Sequence, residues 1–330
     1  MADTLTMPGI GDKSGAERAH PPDRSDSLAA AGLVVVISLL MQTGAALAVK
    51  VIAGVGVVEA LWLRTALGAA ILIALRPRSF RLPRRGQRWG IIALTLCLFG
   101  MNLSFYAAIS RVNMGIVVAV EFLGPLAVSI LGSRRRLDAL WIVLAGMGVV
   151  LLAGPTGSAA PLGVSFALLA AVFWAAYLLL AKHALSRMEP LQVTVLMLAG
   201  SSLLLTPIMV VNGIQVVGKT DALLLGLAVA VLSSALPYLL DLFALRRVRA
   251  STYGVLLSIA PAMAALVGFV VLSQHLTPAE LGGIGAVVLA AGGASWMSES
   301  GRLRREEARV ELAAPLDLRT EEGRIGTRAG

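Results

Sequence analysis

The stretch Val118–Ile130 reads VAVEFLGPLAVSI. Twelve of its thirteen residues are apolar, small or at most hydroxylic, and the exception is a carboxylate, Glu121, four residues ahead of Pro125. How this run is read decides the fold, because runs like it recur along the whole chain. They come in blocks of about 20 residues, the length an α-helix needs to cross a bilayer. Of the 330 residues, 57% are hydrophobic and only 14% are charged, with a mean hydropathy of +0.83. A soluble domain lacks the polar surface to hide that much apolar material. A membrane β-barrel needs alternating segments of about 10 residues, and none occur here. The chain therefore reads as an all-α polytopic membrane protein.

Apolar runs between charged or Pro/Gly breaks give ten spans: 28–49, 57–75, 89–108, 113–131, 138–154, 162–182, 192–211, 222–245, 251–272 and 278–297. Residues 1–27 are polar, hold no apolar core, and read as a disordered cytoplasmic tail rather than a cleaved signal peptide. Residues 298–330 form a second tail of mixed charge, expected to be mostly disordered from Gly301 on. Positive charge tests the count, since cytoplasmic loops collect Lys and Arg. With the N-terminus inside, the inner loops hold Arg76, Arg78, Arg81, Arg84, Arg85 and Arg88, then Arg134–Arg136, then Lys182 with Arg187, then Arg246, Arg247 and Arg249. Outer segments hold only Lys50, Arg111 and Lys219. Counting the tails, 24 bases lie inside and three outside, with Arg64 the remaining one of 28. The net charge of +9 is thus accounted for by topology and anionic lipid, without nucleic acid.

Ten is twice five, and a duplicated five-helix unit inserts upside down. Shifting the chain by 136 residues places Arg111-Val112 on Arg247-Val248, Pro125 on Pro261, Gly132 on Gly268, Leu140 on Leu276 and Gly146 on Gly282. Residues 28–154 and 162–297 then form two inverted repeats, the plan of many secondary carriers. Pro125 and Pro261 fall in mid-span, where each removes a helix hydrogen bond and frees a carbonyl. Such a carbonyl is tolerated in a membrane only when buried or facing a water-filled cavity. The pair is read either as packing kinks or as gating elements.

A charge near the bilayer centre needs a partner or a purpose. Glu121 and Arg64 both lie roughly 10–12 Å below the outer surface, at a rise of 1.5 Å per residue. One reading is a buried salt bridge that fixes packing. The other is a site for a zwitterion, with Arg64 facing a carboxylate and Glu121 facing an ammonium or exchanging protons. Gln42, Thr43, Asn102, Tyr106, Trp174, Tyr177, Ser233, Ser234, Tyr238 and Ser258 fall in other spans as further ligand candidates, each with helix–helix hydrogen bonding as its alternative. Asp241 reads as an interfacial partner of Arg246, or as a gating contact. Cys97 is the one cysteine, and His20, His183 and His275 cannot be brought together, so neither a metal site nor a cofactor is expected. Gly282, Ala286, Ala290 and Ala294 form a small-residue ridge, read as packing within the monomer or as a homodimer seam.

These residues carry a resemblance. The ten-span, inverted plan resembles the drug/metabolite transporter superfamily with its paired EamA-type domains. AVEFLGPLAV (Ala119–Val128) is similar to the Ala-Leu-Glu-Phe-x-Gly-Pro-Leu-Ala pattern of the bacterial threonine/homoserine exporter branch, with Val120 in place of Leu. SSALPYLLDLFALRRV (Ser233–Val248) resembles that branch's Ser-Ser-Ala-Leu-Pro-Tyr segment, with Asp241 where Glu is frequent. Gln42–Ala45 and Leu63–Gly68 resemble its Gln-Ser-Gly-Ala and Leu-Arg-x-Ala-Leu-Gly segments. The resemblance covers residues from about 30 to 297 and implies export of small amino acids from the cytoplasm across the bacterial inner membrane, by a proton-exchanging secondary carrier. The alternative within the fold is a carrier of another small metabolite or a drug. An enzyme would need a nucleophile–base or metal constellation, which the spans do not offer. A receptor would need an appended soluble domain, which the short loops cannot hold.

Overall fold

The computed structural model describes residues 24–131, 138–153, 160–185, 188–237, 240 and 258–313. All regular elements among the described residues are helices. The first, α1 (Arg24–Leu75), is interrupted at Gly56, where φ is 84° and ψ is 170°. That backbone region is essentially reserved for glycine. Gly44 and Gly68 lie equally far from Gly56 on its two sides, and they abut the adjacent residues Ser233 and Ser234. The two arms of α1 therefore run back alongside each other as a hairpin. A loop is expected between the first two spans, yet Val51–Val55 stay helical and a single glycine makes the turn.

Next come α2 (Arg88–Ile109), α3 (Met114–Glu121), α4 (Leu123–Leu131), α5 (Asp138–Ala153), α6 (Pro161–Leu185), α7 (Pro190–Asn212) and α8 (Thr220–Ala230). A π turn, Val231–Ala235, continues α8, and α9 (Ala260–Leu272) and α10 (Pro278–Ala313) complete the described chain. Among the described residues, four helical stretches are long and apolar enough to cross a membrane: Gly32–Leu75, Arg85–Ile109, Pro161–Ala181 and Pro190–Asn212. Shorter apolar helices lie at Met114–Val128, Leu140–Leu152, Thr220–Ala235, Ala260–Leu272 and Pro278–Ala294. The outer faces are apolar as well, with Trp89, Leu203, Val211 and Val217 strongly exposed. A face of that kind is stable against lipid, not water.

Two predicted spans depart from a simple helix of the expected length, and one is broken inside. The fourth divides at Phe122 into α3 and α4. Pro125, in the first turn of α4, has no N–H for the Glu121 carbonyl four residues back, so the break follows from proline chemistry. Pro261 does not kink a continuous helix among the described residues: it stands in the first turn of α9, where a missing N–H costs nothing. The tenth span overruns its predicted end, since α10 continues to Ala313 through residues expected to be disordered. That segment is rich in Arg, Glu, Leu and Ala, all strong helix formers.

Small residues let the helices approach closely, as association in lipid requires. A Cβ on Gly124 of α4 would come within 2.4 Å of the Ala171 carbonyl oxygen on α6. One on Gly115 of α3 would come within 2.9 Å of Ala265 on α9, and one on Gly100 of α2 within 2.6 Å of the Phe173 ring on α6. On α10, Ala290 and Ala294 are buried in a cluster with Leu126 and Ala145, while Gly282 at the other end of the same ridge faces open space. At the start of α10, Thr277 and Glu280 form a reciprocal cap: Glu280 Oε2 accepts from the Thr277 N–H (2.7 Å), and Thr277 Oγ1 accepts from the Glu280 N–H (3.2 Å).

Candidate functional site

A cavity of about 220 Å³ lies among α1, α2, α3, α6, the π turn and the start of α9. Its polar lining is Ser38, Gln42, Arg64, Asn102, Glu121 and Ser233, and its apolar lining includes Met41, Met101, Phe105, Phe122 and Trp174. Each side chain arrives from an apolar run, so the fold gathers the rare polar residues of five helical segments into one space.

Arg64 is the most strongly tethered of them. Its Nη1 donates to Asn102 Oδ1 at 2.8 Å, Nη2 to the Ser233 carbonyl at 3.3 Å, and Nε to Ser234 Oγ at 3.5 Å. Its guanidinium also stands 5.7 Å from the centroid of the Tyr106 ring, in reach of a cation–π attraction. Guanidinium carries five N–H donors in a fixed fork, so these partners leave two of them. Asn102 is held in turn by donating Nδ2 to the Leu98 carbonyl at 2.9 Å. The π turn matters here: the extra residue in its ladder brings the Ser233 carbonyl to the guanidinium. Gly44 and Gly68 make room for it, because a Cβ on Gly44 would fall 2.1 Å from Ser233 Oγ and one on Gly68 would fall 3.0 Å from Ser234 Cβ.

Glu121 ends α3 at the break, buried and lining the same cavity. Among the described residues no hydrogen bond or ion pair holds its carboxylate, and the one ion pair found there is Arg76–Glu189 at 2.8 Å, well away from the site. Arg64 and Glu121 therefore share a cavity without pairing. Next to Glu121, Phe122 meets Trp174 edge to face at 5.1 Å and 89°. Such a contact is worth about 0.5–1.5 kcal/mol and stiffens the apolar wall.

The other predicted residues divide. Gln42 lines the cavity and donates weakly from Nε2 to the Ala260 carbonyl, at 3.4 Å. Ser234 and Tyr106 stand behind Arg64 as its supports rather than in the cavity lining. Thr43 bonds back to the Leu39 carbonyl at 2.8 Å. Tyr177 packs with Ile91, Leu94, Val193 and Leu196 outside the cavity. Ser258 is buried against Gly292 of α10. Pro125 and Pro261 each open a helical segment, with the Gln42 acceptor immediately before Pro261. Tyr238 and Asp241 lie outside the described residues.

Sequence reasoning missed two residues of interest. Ser38 lines the cavity one turn before Gln42, and its position four residues back on the same helical face is the signal that could have found it. Glu59 is a further buried acid, accepting from the Gln215 backbone N–H and clamping the α7–α8 connection onto α1 near Gly56.

Comparison with known proteins agrees with this architecture. Residues 161–296 match the EamA-like transporter family. The threonine/homoserine exporter RhtA of Escherichia coli K12 is 38% identical over 267 residues, covering 80% of this chain and 90% of its own length. RhtA of Salmonella typhimurium LT2 is 39% identical over 268 residues, with the same shares covered. A solved crystal structure that is 19% identical superimposes with a TM-score of 0.60, over 83% of this chain and 98% of that one, which shows the fold alone. With so much of the RhtA length aligned and the Glu-Phe-x-Gly-Pro and Ser-Ala-Leu-Pro-Tyr segments both present, the chain belongs to the EamA-like transporter family, on the RhtA-like branch.

Proposed function

We propose that this chain exports small amino acids of the threonine/homoserine type across a bacterial inner membrane, exchanging them for protons. The observation that carries the reading is that Arg64 and Glu121 line one cavity and are not bonded to each other. The two N–H groups of Arg64 that have no partner among the described residues receive the cargo's carboxylate, and Glu121 receives its ammonium. A bare carboxylate in a low-dielectric site is costly, so Glu121 holds either the ammonium or a proton. That exclusion is the coupling: proton arrival releases the cargo, and cargo arrival releases the proton. Ten spans in two inverted halves, 28–154 and 162–297 with both tails cytoplasmic, rock about the site to expose it alternately. The cavity is smaller than the roughly 300–1,000 Å³ of pockets for drug-sized ligands, which favours a small metabolite over a drug.

The test is efflux of labelled threonine and homoserine from preloaded cells. Expression of the chain should accelerate it, and Glu121→Gln should abolish it while the protein stays in the membrane. Normal efflux by that variant removes Glu121 from the mechanism. Substrate-dependent proton flux in proteoliposomes tests the exchange separately.

A further inference from the structure

Hydroxyl groups in these helices mostly bond back to their own backbone. Thr43 donates to the Leu39 carbonyl, Thr65 to Leu61, Ser202 to Ala199 and Thr206 to Ser202, all within 2.8–2.9 Å. Ser38 does not. It is 3% exposed, and its Oγ has no hydrogen-bond partner among the described residues. Of the side chains left with an unpartnered buried atom there, Ser38, Glu59, Tyr106 and Ser201, only Ser38 lines the cavity. Gln42 lies one turn further along the same face of α1 and also lines it. Its Nε2 is engaged with Ala260, but its Oε1 accepts no hydrogen bond among the described residues. A buried hydroxyl without a partner is unfavourable, and such groups are found paired to protein, water or ligand.

We propose that Ser38 and Gln42 form the subsite for the side-chain hydroxyl of the cargo. This rests on the amino-acid export reading, in which Arg64 and Glu121 already take the carboxylate and the ammonium. What then distinguishes threonine or homoserine from their apolar isosteres is one O–H. That group is both donor and acceptor. It accepts from the Ser38 hydroxyl and donates to Gln42 Oε1, so both unpaired groups are satisfied at once. A methyl group in the same place leaves both bare. Sites that hydrogen-bond a substrate hydroxyl reject the analogue lacking it far more strongly than an apolar pocket discriminates by size. Selectivity for hydroxy amino acids then lies in the first arm of α1, apart from the charged groups that bind any amino acid.

The experiment is efflux from proteoliposomes holding the full chain, loaded with an equimolar mixture of labelled threonine and labelled valine, the isostere in which a methyl replaces the hydroxyl. The readout is the threonine-to-valine ratio, which does not depend on how much protein inserts. Wild type favours threonine, Ser38→Ala lowers the ratio about tenfold, as expected for loss of one buried hydrogen bond, and Ser38→Thr, which keeps the hydroxyl, restores it. An unchanged ratio in Ser38→Ala with wild-type threonine efflux intact overturns the subsite and leaves the export reading standing. A proportional fall of both amino acids in Ser38→Ala assigns the residue to packing and also overturns it. Absence of threonine and valine efflux from wild type overturns the export reading, and the subsite with it.

Discussion

Glu280 and Glu121 are both buried acids at helix ends, and they live under opposite conditions. Glu280 is 1% exposed and closes the first turn of α10, accepting from the Thr277 backbone and hydroxyl at 2.7 and 3.0 Å. Glu121 is nearly as buried, yet it looks into a cavity and accepts from nothing among the described residues. Glu59 falls between them, with Oε1 engaged by the Gln215 N–H and Oε2 unpartnered. Burial alone therefore does not mark a functional acid. The helix-capping carboxylate has its bonds supplied by the chain, whereas the one facing the cavity, the proposed ligand group, is left short of them.

That contrast can be broken by mutation. The largest effect is expected at the site itself. Arg64→Ala removes the donors that hold Asn102 and the Ser233 carbonyl, and truncating one side of a buried charged network costs about 2–5 kcal/mol. Labelled threonine efflux should fall by two orders of magnitude or more, and survival of transport would separate the cation from the cavity's purpose. Gly44→Ala should come next. The added methyl meets Ser233 Oγ and pushes the π turn away from Arg64, with a cost of about 1–3 kcal/mol for overpacking. Weakened efflux together with a lower melting temperature in detergent is the expected pair of results. Glu280→Ala should lower the detergent melting temperature through loss of the cap, worth about 0.5–2 kcal/mol, while efflux per inserted molecule stays near wild type. If instead it silences transport at unchanged stability, the distinction between the two acids collapses. The smallest effect belongs to Arg76→Ala. The Arg76–Glu189 pair is about half exposed on both sides, so its loss should move stability by less than about 1 kcal/mol and leave transport alone.

Much of this was readable in the sequence because charge and amide groups are rare inside apolar runs. Glu121, Arg64, Asn102 and Gln42 stood out for that reason, and the fold brings all four to one cavity. Hydroxyl and aromatic residues were harder to place. Thr43 follows Gln42 by one residue, which turns it about 100° around the helix and off the cavity. Tyr177 is less than a full turn beyond Trp174 yet joins a different cluster. Ser38 carried no signal of its own, since a lone serine in a membrane helix usually bonds to its own backbone. The breaks were legible only in part: Pro125 announces one, but the π turn at Ser233 and the single-residue reversal at Gly56 depend on close packing that hydropathy does not record.

The partners of Arg64 come from distant parts of the chain, Asn102 on one side and Ser233 with Ser234 on the other. In the proposed rocking motion these belong to different halves, and the guanidinium then acts as a latch. It keeps its three hydrogen bonds only while both halves hold their present spacing, and parting them strips acceptors from a charge in a poorly solvating medium. An arriving carboxylate replaces the lost acceptors.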